Sequence, residues 1–168
     1  MNEKQRYEII RSDKLISLIG AELYFDRFGD PNKNEPDVIY GDKKGKLLGV
    51  EVGTAYFSEY QAMQYWSILR RGWGGKKFID LLETSGPHSA DCEFDSIQSI
   101  INDKCKKTHS YDGVTIKWLL VWDDTLFTDR DDILCIIKRL NVPKNNFQKI
   151  FIVSYTSDSN NFKFFMLR

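Results

Sequence analysis

The stretch EPDVIY, residues 35–40, is followed by the turn segment GDKKG, residues 41–45, and then by GVEVGT, residues 49–54. Both outer stretches are rich in residues that favour β-strands, and the glycines between them supply turn chemistry. The pattern therefore predicts a β-hairpin. Because opposite residues of an antiparallel pair lie close together, we expect Asp37 and Glu51 to meet at one end of this hairpin.

Two carboxylates that meet in this way could share a divalent cation. Mg2+ prefers oxygen ligands, and two carboxylates with one backbone carbonyl leave positions for water and a substrate phosphate. Such an ion activates water and stabilises charge on phosphate oxygens. Asp37 and Glu51 are therefore candidate catalytic residues and ligands of Mg2+ or Mn2+ in phosphodiester hydrolysis. The alternative is that Asp37 begins a turn and Glu51 points to solvent, although Gly49 and Gly53 would then leave that strand face unusually bare.

At these residues the sequence resembles the PD-(D/E)XK nuclease superfamily, whose pattern is Pro-Asp, a hairpin, then Asp or Glu, any residue and Lys. Pro36-Asp37 matches the first half, and Glu51-Val52 matches the start of the second. The resemblance covers residues 13–70 and implies an α/β fold with a restriction-endonuclease-like mixed sheet flanked by helices. It further implies that Asp37, Glu51 and the carbonyl of Val52 bind the metal ion.

The sequence departs from this pattern at the lysine, where Gly53 stands instead. In the superfamily this lysine helps to place the attacking water and offsets transition-state charge, and some members relocate or replace it. Gln61 is the nearest polar candidate for a substitute role, and it is equally well explained as the capping-box partner of Ser58. The resemblance also implies that Glu22, on a predicted helix before the motif, is an accessory acid.

Residues 61–65, QAMQY, resemble the Q-x-x-x-Y signature found after the metal motif in the RecB-like branch of the superfamily. Two fixed positions in five carry little weight alone, but the match begins ten residues after Glu51 on a predicted helix. It therefore adds support to the nuclease-like fold. The alternative is that Tyr65 and Trp66 are core residues of an amphipathic helix.

A basic, glycine-rich segment follows this helix, and residues 60–77 contain no Asp or Glu. Its four cations and one tryptophan are Arg70, Arg71, Trp73, Lys76 and Lys77. Lysine and arginine neutralise phosphates, and an exposed tryptophan can stack on an unpaired base. We therefore predict that the segment binds nucleic acid, with DNA preferred to RNA. The alternative is a solvated connector with its tryptophan in the core.

The remaining pattern predicts one mixed α/β domain over residues 1–168. Predicted helices cover 13–25, 58–69, 93–107 and 129–140, a loop covers 26–36, a central strand covers 114–122, and a terminal hairpin joins 149–155 to 162–167. Asp123 and Asp124, which follow the central strand, are interpreted as turn and cap residues in preference to a metal site.

Composition limits the other functions. The 24 Lys and Arg balance the 24 Asp and Glu, so any contact with nucleic acid must use a local patch. No apolar run approaches the roughly 18 residues of a membrane span and the N-terminus lacks a signal sequence, which predicts a cytoplasmic protein without membrane contact. Cys92, Cys105 and Cys135 lack metal-site spacing and are expected to be reduced, buried thiols.

The sequence leaves two questions open, namely the oligomeric state and whether the site is catalytic. Nuclease domains that cut both strands often dimerise, so a homodimer is an open expectation. The main alternative to an active enzyme is a non-catalytic protein on the same fold, such as an immunity or inhibitor module, that binds nucleic acid or another protein. A working site should bind Mg2+ or Mn2+, whereas a binding module should be indifferent to chelation.

Overall fold

The computed structural model describes residues 1–56, 90–108, 111, 113–124, 130–156 and 161–167. Within these ranges the chain forms three α-helices and six β-strands. The elements in chain order are α1 (Glu3–Leu18), β1 (Tyr24–Phe28), β2 (Val38–Gly41), β3 (Leu47–Ala55), α2 (Ala90–Lys107), β4 (Ile116–Asp123), α3 (Arg130–Arg139), β5 (Lys149–Thr156) and β6 (Asn161–Met166). A short 3-10 helix, Pro31–Lys33, lies between β1 and β2.

The six strands form one mixed sheet in which their spatial order follows the chain. β3, β4 and β5 run parallel to one another, and β1, β2 and β6 add antiparallel pairs at the two sides. The predicted hairpin of β2 and β3, the central strand β4 and the terminal hairpin of β5 and β6 are all confirmed. In the first hairpin Val38 lies opposite Val50, so the next step along this register places Asp37 beside Glu51.

Helices cover both faces of the sheet, as the uninterrupted hydrophobicity of β4 requires. On one face, Leu15 and Ile16 of α1 pack in a core cluster with residues such as Val50 and Trp118. On the other face, α2 and α3 contribute Ile97, Ile101, Ile133 and Ile136 to a second cluster. The mixed α/β class is confirmed, and the two layers fix α1 and α2 on opposite sides of β3.

The N-terminal prediction was wrong in two respects. The first helix begins at Glu3, ten residues before the predicted start, after an Asn2 cap that forms a capping box with Gln5. The buried face of this helix carries polar as well as apolar residues, so the apolar periodicity by which a helix is located in a sequence is interrupted there. The segment expected to end this helix and form a loop contains β1, an edge strand whose Tyr24 and Phe25 are exposed.

Two further expectations concern cysteines and membranes. No disulfide joins any of the three cysteines, and only Cys105 is buried, because Cys92 and Cys135 lie on the exposed sides of α2 and α3. In the part of the chain that the structure describes, no helix has the length and apolar character needed to span a bilayer.

Candidate functional site

The structure brings Asp37 and Glu51 together at the end of the β2–β3 hairpin. The backbone N–H of Val52 donates to Oδ2 of Asp37 at 2.9 Å, which holds this carboxylate beside β3. The Lys104 ammonium on α2 lies 2.5 Å from Oε1 of Glu51 and 3.8 Å from Oδ2 of Asp37. The two carboxylate oxygens are therefore less than about 6.5 Å apart.

The backbone carbonyl of Val52 is directed to the same side of β3 as Asp37. In a β-strand the N–H and C=O of one residue point to the same neighbouring strand. Because the N–H of Val52 points to Asp37, the Val52 carbonyl is also directed to that side of β3. The pairing with β2 ends at Val50, so this carbonyl lies beyond the last pair of the β2–β3 ladder.

The missing motif lysine has a steric explanation. A Cβ placed on Gly53 would lie 2.3 Å from Cγ2 of Ile100 on α2, a distance that packed side chains do not tolerate. The same Cβ would lie 3.8 Å from Cε of Lys104. Helix α2 therefore excludes a side chain at position 53 and delivers its own lysine to the carboxylates.

Helix α1 adds two charged residues on the other side of Asp37. Lys4 Nζ lies 3.0 Å from Oε1 of Glu8 and 3.5 Å from Oδ1 of Asp37. Burial and the nearby charge of Asp37 raise the pKa of Glu8 to about 7, although Lys4 opposes this shift. The pKa of Lys4 is raised, because the attraction of Asp37 and Glu8 outweighs the effect of its partial burial. Glu8 therefore changes protonation near neutral pH.

Glu51 is more deeply enclosed, with only 5% of its surface exposed. Burial raises its pKa, and the charge of Asp37 acts in the same direction. Lys104 and a hydrogen bond to Tyr111 oppose this shift by favouring the charged carboxylate. Burial and the neighbouring Glu51 in turn raise the pKa of Tyr111, which keeps its hydroxyl protonated. The site thus holds a concentration of negative charge that two lysines partly balance.

A cavity of about 220 Å³ opens beside these residues. It lies where β3 continues past the end of its pairing with β2, between α1 and α2. Its walls include Lys4, Glu8 and Arg11 of α1, Gly53 and Thr54 of β3, and Lys104 of α2. Three cations and one acid lie on these walls, and each of the cations pairs with a carboxylate.

Behind the cavity, Arg11 joins α1 to the ends of two strands. Its guanidinium lies 2.6 Å from Oδ2 of Asp124 and donates to the Thr54 hydroxyl. Asp124 also accepts a hydrogen bond from the Trp122 indole at 2.9 Å. Asp123 is buried and accepts from the Ser154 hydroxyl at 2.7 Å. The two acids are thus structural partners inside the fold, and residues 125–129, on which their predicted turn and cap roles depend, lie outside the described residues.

The structure does not bring Glu22 to this site. Its side chain is 78% exposed and lies 2.6 Å from Lys43, at the turn end of the β2–β3 hairpin. Asp37 stands at the opposite end of β2, so the acid from α1 that approaches it is Glu8. Gln61 lies outside the described residues, as does the basic segment with Arg70, Arg71, Trp73, Lys76 and Lys77.

Sequence reasoning missed Lys104, Glu8 and Arg11, although a signal for each was present. Lys104 follows Ile97, Ile100 and Ile101 at helical spacing, so it lies along the buried stripe of α2. The buried positions of α1 are Glu8, Arg11, Ser12, Leu15 and Ile16, which also follow helical spacing. Charged residues on such a stripe need partners, and those partners mark the site.

Comparison with family models, with curated proteins and with solved structures found no match to this chain. Among the described residues, no three side chains of His, Cys, Asp or Glu converge closely enough to hold a metal ion by themselves. The chemistry of the site therefore rests on its own two carboxylates, its backbone groups and its cations.

Proposed function

We propose that this chain is a metal-dependent phosphodiesterase that cleaves nucleic acid, with DNA as the preferred substrate. The observation that supports this proposal best is the pairing of Asp37 and Glu51 through Lys104, which also lines the neighbouring cavity. The arrangement of α1, the β1–β2–β3 meander and the parallel neighbour β4 is compatible with the restriction-endonuclease-like fold that the PD-(D/E)XK resemblance implies.

The residues fit a hard divalent cation. Mg2+ is usually held by one or two carboxylates and retains several waters, so a third acidic side chain is not required. Asp37, Glu51 and the Val52 carbonyl are oxygen donors grouped on one side of β3. When bound, Mg2+ or Mn2+ would activate water and offset charge on the phosphate.

The other residues of the site suit a phosphate substrate. Lys104 reaches the carboxylates and also lines the cavity, so its ammonium can offset charge on phosphate oxygens as the motif lysine does in the superfamily. Arg11 presents a second cation from the α1 wall of the same cavity, where Asp124 holds it. Glu8, whose pKa is raised to about 7, can hold or release a proton beside Asp37 at neutral pH.

The test is cleavage of plasmid, single-stranded DNA and RNA by purified protein in Mg2+, Mn2+ and a chelator. We expect metal-dependent cleavage that falls by about 100-fold or more in Asp37→Asn and Glu51→Gln, because each loses a charged metal ligand. Glu22→Gln is the matched control, since it removes an exposed carboxylate away from the site and should change the rate less than about twofold.

One observation favours the alternative of a non-catalytic binding module. Lys104 already places a positive charge between Asp37 and Glu51, so the two carboxylates have a counter-ion without metal. A module of this kind should bind its partner equally well in Mg2+ and in chelator. Absence of cleavage in every metal, together with binding that is indifferent to chelation, would establish this alternative.

The basic segment remains a sequence-based prediction that bears on the substrate. If Arg70 and Arg71 contact phosphates, the log of DNA affinity should fall less steeply with log salt after both are replaced by Ala, by about 1.5 units of slope. Trp73→Ala should weaken single-strand binding by about 1 to 3 kcal/mol and leave the slope nearly unchanged. Fluorescence anisotropy across a salt series measures both effects.

A further inference from the structure

We propose that Lys104 is an internal counter-ion that competes with the divalent cation for Asp37 and Glu51, so that metal binding displaces the lysine into the cavity. This inference rests on the metal site of the proposed function. It assigns Lys104 two alternative positions, one that holds the carboxylates together before metal binds and one that faces the substrate afterwards.

The first position is set by the distances. The Lys104 ammonium lies 2.5 Å from Oε1 of Glu51 and 3.8 Å from Oδ2 of Asp37. Mg2+ bound to the same carboxylates would need oxygens at about 2.0 to 2.1 Å, within the region that the ammonium occupies. A monovalent and a divalent cation so close together repel each other strongly in a buried site. The ion and the lysine therefore exclude each other.

The second position is available because of Gly53. Lys104 and Gly53 both line the cavity, and the lysine stem passes close to the place where a side chain at position 53 would begin. Since Gly53 has no side chain, the ammonium can leave the carboxylates by rotating about its own side-chain bonds. The cavity of about 220 Å³ beside it provides space for the group.

Lys4 does not duplicate this role. Its ammonium approaches the other oxygen of Asp37, Oδ1, at 3.5 Å and is closer to Glu8 at 3.0 Å. Its side chain is 69% exposed, against 19% for Lys104. Only Lys104 contacts Glu51 among the ion pairs of the described residues, so only its removal should free both metal-binding carboxylates.

The experiment is calorimetric titration of metal-free protein with Mn2+ at about pH 8, well above the pKa of an unperturbed carboxylate. The variants are Lys104→Met and Lys104→Gln, the second of which keeps an N–H donor for Glu51 and so protects the fold. The control is Lys106→Met, on the same helix, where the side chain is 78% exposed and pairs with Asp103. Circular dichroism and thermal melting establish that each variant is folded.

We expect the two Lys104 variants to bind Mn2+ at least about tenfold more tightly than the wild type, and Lys106→Met to bind within about twofold of it. The same Lys104 variants should lose DNA cleavage, so affinity for the metal and activity move in opposite directions. A residue that merely supports the fold would lower both.

If the wild type binds Mn2+ and folded Lys104→Gln binds it equally well or more weakly, the competition is overturned and the metal site stands. Absence of Mn2+ binding in the wild type and in both Lys104 variants would instead overturn the metal site and with it the proposed function. Tight binding by the variants alone, with none measurable in the wild type, supports the competition in its strongest form.

Discussion

Replacing Arg11 by Met should be among the more destabilising single changes in this protein. The Arg11 and Asp124 side chains are only 6% and 17% exposed, and their charged atoms lie 2.6 Å apart. Removing one partner of a buried pair leaves an uncompensated charge and typically costs about 3 to 5 kcal/mol. Asp124 keeps its hydrogen bond from Trp122, so we expect a loss at the lower end, about 3 kcal/mol.

The chain supplies a control pair with the same separation of charged atoms and different burial. Lys43 and Glu22 also lie 2.6 Å apart, but both side chains are 78% exposed. An exposed pair contributes about 0 to 1 kcal/mol, so Lys43→Met should have little effect on the free energy of unfolding. Urea denaturation of both variants measures the difference.

The pH dependence provides a second check on the same pair. Burial raises the pKa of Asp124, and Arg11 opposes that shift. Without Arg11 the pKa should rise further above its value in the unfolded chain, so the folded variant takes up a proton more readily. The loss of stability should therefore be smaller at about pH 5 than at about pH 8. Equal losses in Arg11→Met and Lys43→Met, at either pH, would refute the reasoning from burial.

Three other changes can be measured by the same unfolding assay. Gly53→Ala should cost about 1 to 3 kcal/mol because its Cβ would overlap Ile100, and the added change Ile100→Ala should recover part of that loss. The raised pKa of Glu8 means that the folded state binds a proton more tightly, so stability should fall as pH rises from about 4.5 to about 7, and Glu8→Gln should reduce this slope. Tyr40→Phe should cost about 0.5 to 1.5 kcal/mol by removing the 2.7 Å hydrogen bond to the exposed Asp13, and no measurable loss would contradict that role.

The sequence alone determined the elements whose signals are local. The β2–β3 hairpin followed from two strand-like runs around a glycine-containing turn, and its antiparallel register places Asp37 beside Glu51. The central strand β4 was predicted because a strand covered on both faces has a continuous hydrophobic run. Such elements depend on neighbours within about 15 residues, so their patterns are contained in short windows.

The sequence pattern did not locate the start of the N-terminal helix, because polar and apolar residues are mixed on its buried face. Glu8, Arg11 and Ser12 occupy buried positions where a single helix would show apolar residues. Each is stabilised by a partner that is distant in sequence or by the helix itself, such as the Asp124 carboxylate that holds Arg11. A pattern of hydrophobicity cannot reveal a buried charge whose partner lies on another strand.

Tertiary structure alone decided which cation joins the carboxylates. Lys104 lies 53 residues after Glu51, and it reaches the site because Ile97 and Ile101 anchor α2 in the hydrophobic layer on one face of the sheet. The same packing brings Ile100 against Gly53 and excludes a lysine there. Pairing between adjacent strands is local, so the sequence predicts that the two acids meet. The position of the lysine that completes the site depends on how a helix packs across the sheet, so the sequence does not predict it.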